Sequence, residues 1–215
     1  MINLVDELVL LTVEDEGTVS YTAGRSGFLM SVVGACLVEL NERGRIDADL
    51  EAVRVLSTEA TGHPALDLVL KAIDQGPALG IKAWIRRLTP QATDVVRQSL
   101  ASLADRGVLQ ASESRFLWVL KTRRYPLLDG SEKKEAKLRI VSTLLGDDIP
   151  TPHDSVLIGL ARVGGLLEGF LSASEIDRLS GRISQIGSVD LFAKGVESAI
   201  REEQLEVART FLGPV

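Results

Sequence analysis

Two glycines flank an arginine and a serine early in the chain, at Gly24, Arg25, Ser26 and Gly27. Apolar residues then recur at helical spacing, which predicts that this segment lies just before a long helix. Unpaired backbone N–H groups and the helix dipole attract anions at such a terminus, and an arginine can bind two phosphate oxygens. The segment is therefore a candidate phosphate site. Its alternative interpretation is a structural loop with a capping serine and an exposed arginine.

A predicted β-hairpin over residues 108–121 is the second candidate site. Its strands are expected at Val108–Ala111 and Phe116–Lys121, joined by a polar turn at Ser112–Ser114. With the amphipathic helix before it, the hairpin has the outline of a winged helix, which would suggest DNA as a partner.

The residue types of this hairpin also fit two other roles. Trp118 suits a membrane interface or a surface for self-association, and Arg123 and Arg124 suit anionic lipid. Alternatively, Phe116, Trp118 and Leu120 occupy alternate positions of one strand face and pack into the core. The sequence leaves membrane binding, a homo-oligomer through this hairpin, and plain core packing open.

Residue types that carry catalysis are scarce. Cys36 lies on the apolar stripe of its predicted helix, which indicates a buried, inert thiol. His63 and His153 each stand beside a proline in a loop before a helix, and no Ser/His/Asp arrangement follows from them. Glu39 and Arg43 are spaced for an i, i+4 ion pair rather than for acid-base chemistry. We therefore expect no enzymatic activity, no metal site and no cofactor.

Charge is distributed unevenly along the chain. The net charge of −6 argues against duplex DNA, because non-specific affinity for DNA depends on basic residues that neutralise phosphates. From Arg115 to Arg139, however, eight basic residues face three acidic ones, a local charge of +5 that leaves −11 for the rest. This asymmetry indicates either a local anionic partner or a solvated basic surface.

The start of the chain indicates where the protein works. Met1 leads directly into the amphipathic segment Leu4–Leu11 without a basic region or a cleavage site, which argues against a secretory signal. A single cysteine is compatible with a reducing cytoplasm. We expect a cytoplasmic protein that binds, at most, to the surface of the cytoplasmic membrane.

Hydrophobic periodicity predicts the elements that must position these residues. The 215 residues are 45% hydrophobic and 25% charged, as in ordinary globular proteins. We expect a mainly α, single-domain helical bundle over residues 1–215 with small attached β-hairpins. Short strands are expected near 45–47 and 52–56, and the proline-containing stretch 147–152 is expected to be a loop. The helices are predicted at about 4–11, 29–43, 63–74, 81–88, 92–106, 131–145, 154–170 with a break at 164–165, 172–182 and 188–208.

Four segments of this chain occur in the order seen in the Golgi phosphoprotein 3 family. The resemblance runs from about Asn3 to Ile200 and rests on Leu4–Leu11, on Gly34–Leu40 with Arg43–Ile46, on Leu103–Leu109, and on Phe116–Leu120 followed by Tyr125–Leu127. It implies a single, mainly helical domain without enzymatic activity that binds phosphatidylinositol 4-phosphate at a membrane surface. Eukaryotic members hold glycosyltransferases on Golgi membranes. The compact chain, which lacks an extended N-terminal arm, resembles a bacterial member, to which a Golgi role does not apply.

The resemblance departs from the family at the lipid headgroup. Members use a tryptophan in the loop before the second helix, an arginine within that helix, and two arginines in the helix before the hairpin. Thr22 or Gly24 stands at the tryptophan position here, and Val33 stands at the first arginine position. Of the later pair, only Arg97 has a counterpart nearby.

The expected ligand is therefore an anionic phospholipid or phosphoinositide headgroup, held by a substitute set of residues. We expect the headgroup-binding residues to be Tyr21, Gly24, Arg25, Ser26, Gly27 and Arg97. A second hypothesis is a cytoplasmic interaction or scaffolding protein that has lost lipid binding and pairs through its hairpin. A winged-helix-like DNA regulator is a third hypothesis, which the acidic net charge disfavours.

Overall fold

Helices dominate the computed structural model, which describes residues 2–20, 25–49, 51–110, 112–116, 120–128, 130–187 and 190–212. The helices are α1 Leu4–Leu11, α2 Arg25–Glu42, α3 Pro64–Asp74, α4 Ile81–Leu88, α5 Ala92–Asp105, α6 Ser131–Leu145, α7 Pro152–Val163, α8 Ala173–Gly187 and α9 Leu191–Leu212. This confirms the predicted mainly α class. The periodic segments are reproduced closely, although α2 begins earlier, and α8 and α9 end later, than expected.

The centre of the bundle is formed by α1 and α2. Every residue of α1 is buried, and the Asn3 side chain caps the helix by accepting a hydrogen bond of 2.8 Å from the backbone N–H of Asp6. In α2 every residue from Phe28 to Leu40 is buried, and the helix packs against α1, α3, α5, α7 and α9. Cys36 is 0% exposed, and burial raises the pKa of its thiol, so it packs as a small apolar side chain.

Two antiparallel strand pairs are attached to the bundle. Strands β1 (Ile46–Ala48) and β2 (Val53–Val55) lie close to the two predicted short strands and pair antiparallel, and Gly44 before β1 has φ at +62°. Strands β3 (Ser112–Phe116) and β4 (Leu120–Arg124) pair with Phe116 opposite Leu120.

The predicted position of the second hairpin is wrong. Residues 112–114 belong to β3 rather than to a turn, and β4 ends at Arg124, three residues beyond the predicted hairpin. Leu109 instead forms an isolated bridge with Leu127 below the ladder. The paired strands are therefore 112–116 and 120–124, and residues 108–110 contact residues 126–128 through backbone hydrogen bonds at their base.

A tight turn after α1 fixes the base of this hairpin. Val13 and Val19 form a bridge around it, and Gly17 adopts φ +81°. The carbonyl of Gly17 accepts a hydrogen bond of 2.9 Å from the backbone N–H of Tyr125, and a Cβ on Gly17 would lie 2.3 Å from the Pro126 nitrogen. The turn and the hairpin base are thus packed backbone to backbone.

The C-terminal helices close the bundle. Helix α7 ends before Gly164 and Gly165, where the sequence predicted a break, and α9 packs against α2, α4 and α7. The buried apolar side chains of these helices belong to one hydrophobic cluster. The single domain over 1–215 stays a prediction. Among the described residues, no helix combines the length and apolarity needed to cross a bilayer.

Candidate functional site

The N-terminus of α2 holds three of the residues expected at a phosphate site. Helix α2 begins at Arg25, so Arg25, Ser26 and Gly27 form its first turn rather than the loop before it. Arg25 is exposed, and the first turn carries no acidic residue of its own. The Ser26 hydroxyl donates a hydrogen bond of 2.7 Å to a carboxylate oxygen of Glu203 in α9. An anionic group therefore already lies at this helix terminus.

Gly27 has a packing role in this turn. A Cβ at this position would lie 3.1 Å from the carbonyl oxygen of Val163 and 3.6 Å from the Ile200 side chain. A glycine lets the start of α2 approach the end of α7 and the middle of α9 closely. Tyr21 and Gly24, the other loop residues of the expected site, lie outside the described residues.

Arg97 lies on the exposed side of α5. Its guanidinium is 2.7 Å from the Asp94 carboxylate, an i, i+3 pair in which both side chains are more than half exposed. No hydrogen bond or ion pair between described residues links Arg97 to the start of α2. Val33, at the position where the family resemblance expects an arginine, is 0% exposed and belongs to the core. This position therefore cannot contact a phosphate.

For most of the basic hairpin the structure describes the backbone alone. Its register places Glu113 opposite Arg123 and Ser112 opposite Arg124. Arg124 is half-buried at the end of β4. Trp118 and the Arg123 side chain lie outside the described residues, so the predicted membrane surface stays a prediction.

The polar cluster that sequence reasoning missed surrounds Asp6 in α1. This carboxylate is 0% exposed and accepts hydrogen bonds from the Ser99 hydroxyl at 2.5 Å and from the Arg106 guanidinium at 3.3 Å. The Nε2 atom of His63 lies 3.1 Å from one of its oxygens. His63 is the residue before α3 and Ser99 lies in α5, so one carboxylate joins three parts of the bundle.

Glu7, the next residue of α1, organises a second cluster. Arg139 of α6 donates a hydrogen bond of 2.7 Å to Glu7 and one of 2.6 Å to Asp154. The Nε2 atom of His153 lies 2.7 Å from the second oxygen of Glu7. This hydrogen bond to Glu7 raises the pKa of His153, with burial and Arg139 acting in the opposite direction.

The carboxylate of Glu39 in α2 is also buried. One oxygen of Glu39 accepts a hydrogen bond of 2.7 Å from the backbone N–H of Leu4, and the other pairs with Arg43 at 3.0 Å. The predicted i, i+4 pair of Glu39 and Arg43 is thus confirmed, and Glu39 additionally caps the N-terminus of α1.

The contacts of these clusters join separate helices of the bundle. Ser99 is 0% exposed, and its hydroxyl donates its hydrogen bond to the Asp6 carboxylate. Within the described part of the chain, no group of three His, Cys, Asp or Glu side chains could hold a metal ion.

A surface cavity of about 440 Å³ lies between the α6–α7 loop, α7 and α8. Three carboxylates line it, those of Asp147, Asp148 and Asp190, against the single guanidinium of Arg182. Arg182 donates a hydrogen bond of 2.7 Å to the backbone carbonyl of Asp148, so it holds the loop against α8. The surplus of negative charge makes this cavity a poor place for a phosphate.

Comparison with known proteins identifies a family. A family model described as Golgi phosphoprotein 3 (GPP34) matches residues 4–203. No curated protein matches the chain. The matched region begins with α1 and ends at Glu203 in α9, so it includes the buried carboxylates, the start of α2 and the hairpin.

Proposed function

The chain belongs to the Golgi phosphoprotein 3 family, and on that premise we propose that it is a non-enzymatic, peripheral membrane module that binds a phosphorylated lipid headgroup. The observation that carries this proposal is the family match over nearly the whole chain. Phosphatidylinositol 4-phosphate is the headgroup that the family resemblance implies.

The proposed headgroup site is the first turn of α2 together with the loop before it. Arg25 is exposed, the helix terminus supplies backbone N–H groups, and the Ser26 hydroxyl is already directed at a carboxylate. Tyr21, Gly24 and Gly27 complete the loop side of this site in our proposal, and Arg97 supplies a second guanidinium. Val33 is buried, so Arg25 takes the place of the family's arginine in that helix.

General attraction to the membrane comes from the basic hairpin. Arg123 and Arg124 lie on β4, and each basic residue near an anionic surface contributes about 1 kcal/mol to binding. A few such residues, with one headgroup site, give reversible recruitment rather than stable anchoring.

Sedimentation with vesicles tests this proposal. We expect the wild-type protein to bind phosphatidylcholine vesicles that contain phosphatidylinositol 4-phosphate and not vesicles of phosphatidylcholine alone. Replacing Arg25 and Arg97 together, as Arg25→Ala with Arg97→Ala, removes about 2 kcal/mol and lowers the partition coefficient about 30-fold.

The matched control is Arg54→Ala with Lys71→Ala, which removes the same charge from exposed positions on β2 and α3. This control should bind nearly as well as the wild type. Equal binding by the wild type and the Arg25/Arg97 variant would contradict the site. Absence of binding by the wild type would instead favour the second hypothesis, an interaction protein that has lost the lipid site.

A further inference from the structure

The carboxylate of Glu203 lies where the proposed phosphate would bind. Its Oε2 atom accepts the 2.7 Å hydrogen bond from Ser26, the second residue of α2, although 177 positions separate the two residues in the chain. Both side chains are half-buried. The first turn of α2 has no acidic residue, so α9 supplies the negative charge that the positive end of the helix dipole attracts.

The part of α9 that carries Glu203 is held by polar contacts. Lys82 and Arg86 of α4 each lie 3.2 Å from Glu202, and Arg86 also lies 2.9 Å from Glu206. All four of these side chains are more than a third exposed. Exposed ion pairs contribute at most about 1 kcal/mol each and are weakened by salt.

The first half of α9 is held by apolar packing rather than by ion pairs. Phe192, Ala193, Val196 and Ala199 are buried in the core, and a Cβ on Gly195 would lie 2.5 Å from Ile81. The beginning of the helix is therefore fixed by packing, whereas the segment from Arg201 to Glu206 is exposed or half-buried and depends on charge. A competing anion needs to displace only this second segment or the Glu203 side chain.

We propose that Glu203 is a built-in competitor for the anion site at the N-terminus of α2, which a phosphate group must displace in order to bind. This inference rests on the proposed function and states how binding at that site is regulated. A phosphate monoester carries up to two negative charges and three acceptor oxygens, against one charge and two oxygens for the carboxylate. It can therefore replace Glu203 on Ser26 and pair with Arg25 at the same time.

The variant Glu203→Gln tests the competition, because glutamine keeps the size and one acceptor oxygen but removes the charge. Affinity for phosphatidylcholine vesicles that contain phosphatidylinositol 4-phosphate should rise about two- to fivefold, as expected for loss of one carboxylate at a helix N-terminus. The matched control is Glu206→Gln, which removes the same charge from the same helix and releases Arg86. It should raise affinity less than Glu203→Gln does.

A second arm uses inorganic phosphate, titrated calorimetrically into the wild type and both variants. Tighter phosphate binding by Glu203→Gln means that the phosphate group alone displaces the carboxylate. A gain seen only with the vesicles means that the lipid surface contributes to displacement. Either result supports the competition.

Three results would overturn it. If Glu203→Gln and the wild type bind the vesicles equally while the wild type binds well, the function stands and Glu203 does not compete. If Glu206→Gln gains as much as Glu203→Gln, the effect is one of overall charge. If neither the wild type nor Glu203→Gln binds vesicles or phosphate, both the competition and the proposed function fail.

Discussion

At the scale of single residues, the protonation of His153 affects the stability of the folded protein. Its Nε2 atom lies 2.7 Å from Glu7, and this hydrogen bond raises the imidazole pKa from its ordinary value of 6.5. Arg139 and Asp154 are the other charged groups that act on it, the first lowering and the second raising its pKa. Because the folded state holds the proton more tightly than the unfolded state, protonation of His153 stabilises the fold.

We predict that His153→Gln lowers the free energy of unfolding most strongly in acid. The stabilisation by His153 is complete below pH 6.5 and is lost as the pH rises through the raised pKa of the folded state. A hydrogen bond between charged groups contributes about 1.5–3 kcal/mol, which sets the scale of the loss below pH 6.5.

Urea unfolding of the wild type and His153→Gln at a series of pH values measures this effect. The difference between the two proteins isolates His153, because every other titrating group is common to both. A difference that stays constant across the pH series would contradict the prediction.

At the scale of elements, Gly17 decides whether the hairpin base can pack on the turn after α1. Its φ of +81° is unfavourable for any other residue, and a Cβ would lie 2.3 Å from the Pro126 nitrogen and 2.6 Å from the Tyr125 carbonyl carbon. Backbone atoms cannot move aside as a flexible side chain can, so the turn and the hairpin base would have to separate.

We therefore predict that Gly17→Ala destabilises the protein more than Gly44→Ala does. Gly44 also has a positive φ, +62°, but a Cβ there would meet no atom within 4 Å, so this control carries only the conformational cost of about 1–2 kcal/mol. Gly17→Ala adds the clash, and we expect a total loss of about 3 kcal/mol or more. Chemical denaturation of both variants measures the two losses, and equal losses would contradict the proposed backbone contact.

Elements differ in how well the sequence predicts them. The amphipathic helices were predictable because apolar residues recur at helical spacing, as in the Leu29, Val32, Val33 and Cys36 series of α2. Strand β3 was not, because its residues Ser112–Phe116 are mostly polar and resemble a turn. A strand whose sequence lacks alternating apolar residues gives no period-2 signal, so the hydrophobic pattern could not indicate β3.

The buried carboxylates were missed for a related reason, although α1 contains a signal for them. Charged side chains are seldom fully buried, so Asp6 and Glu7 read as the polar face of an amphipathic helix. Leu4, Val5, Leu8, Val9, Leu10 and Leu11 nevertheless cover all sides of this short helix. A helix that is apolar all round is a core helix, which leaves no solvent-facing side for acids. Their partners, such as Ser99 and Arg139, could not be named from sequence because they come from distant helices.

At the scale of the whole molecule, the distribution of charge determines how the protein would meet a membrane. The net charge is −6, but the segment from Arg115 to Arg139 carries +5 and the remainder −11. The segment includes β4 and most of α6, but Arg139 is already paired with Glu7 and Asp154 and Lys133 is buried. An anionic bilayer would therefore attract the remaining basic residues of this segment and repel most of the rest of the surface. Interactions beyond about 10 Å are screened at 0.1 M salt, so the local charge near the bilayer matters more than the total.

We accordingly predict that Arg123→Ala with Arg124→Ala weakens binding to anionic phosphatidylserine vesicles about 30-fold, since each basic residue contributes about 1 kcal/mol. Arg54→Ala with Lys71→Ala is again the matched control, because either pair changes the net charge from −6 to −8. Arg54 already pairs with Asp47 and Asp49, away from the basic segment, so the control should change binding less than twofold. Vesicle sedimentation at two ionic strengths measures both pairs. Equal losses in the two variants would mean that total charge governs membrane association and that the hairpin residues contribute no more than other exposed basic residues.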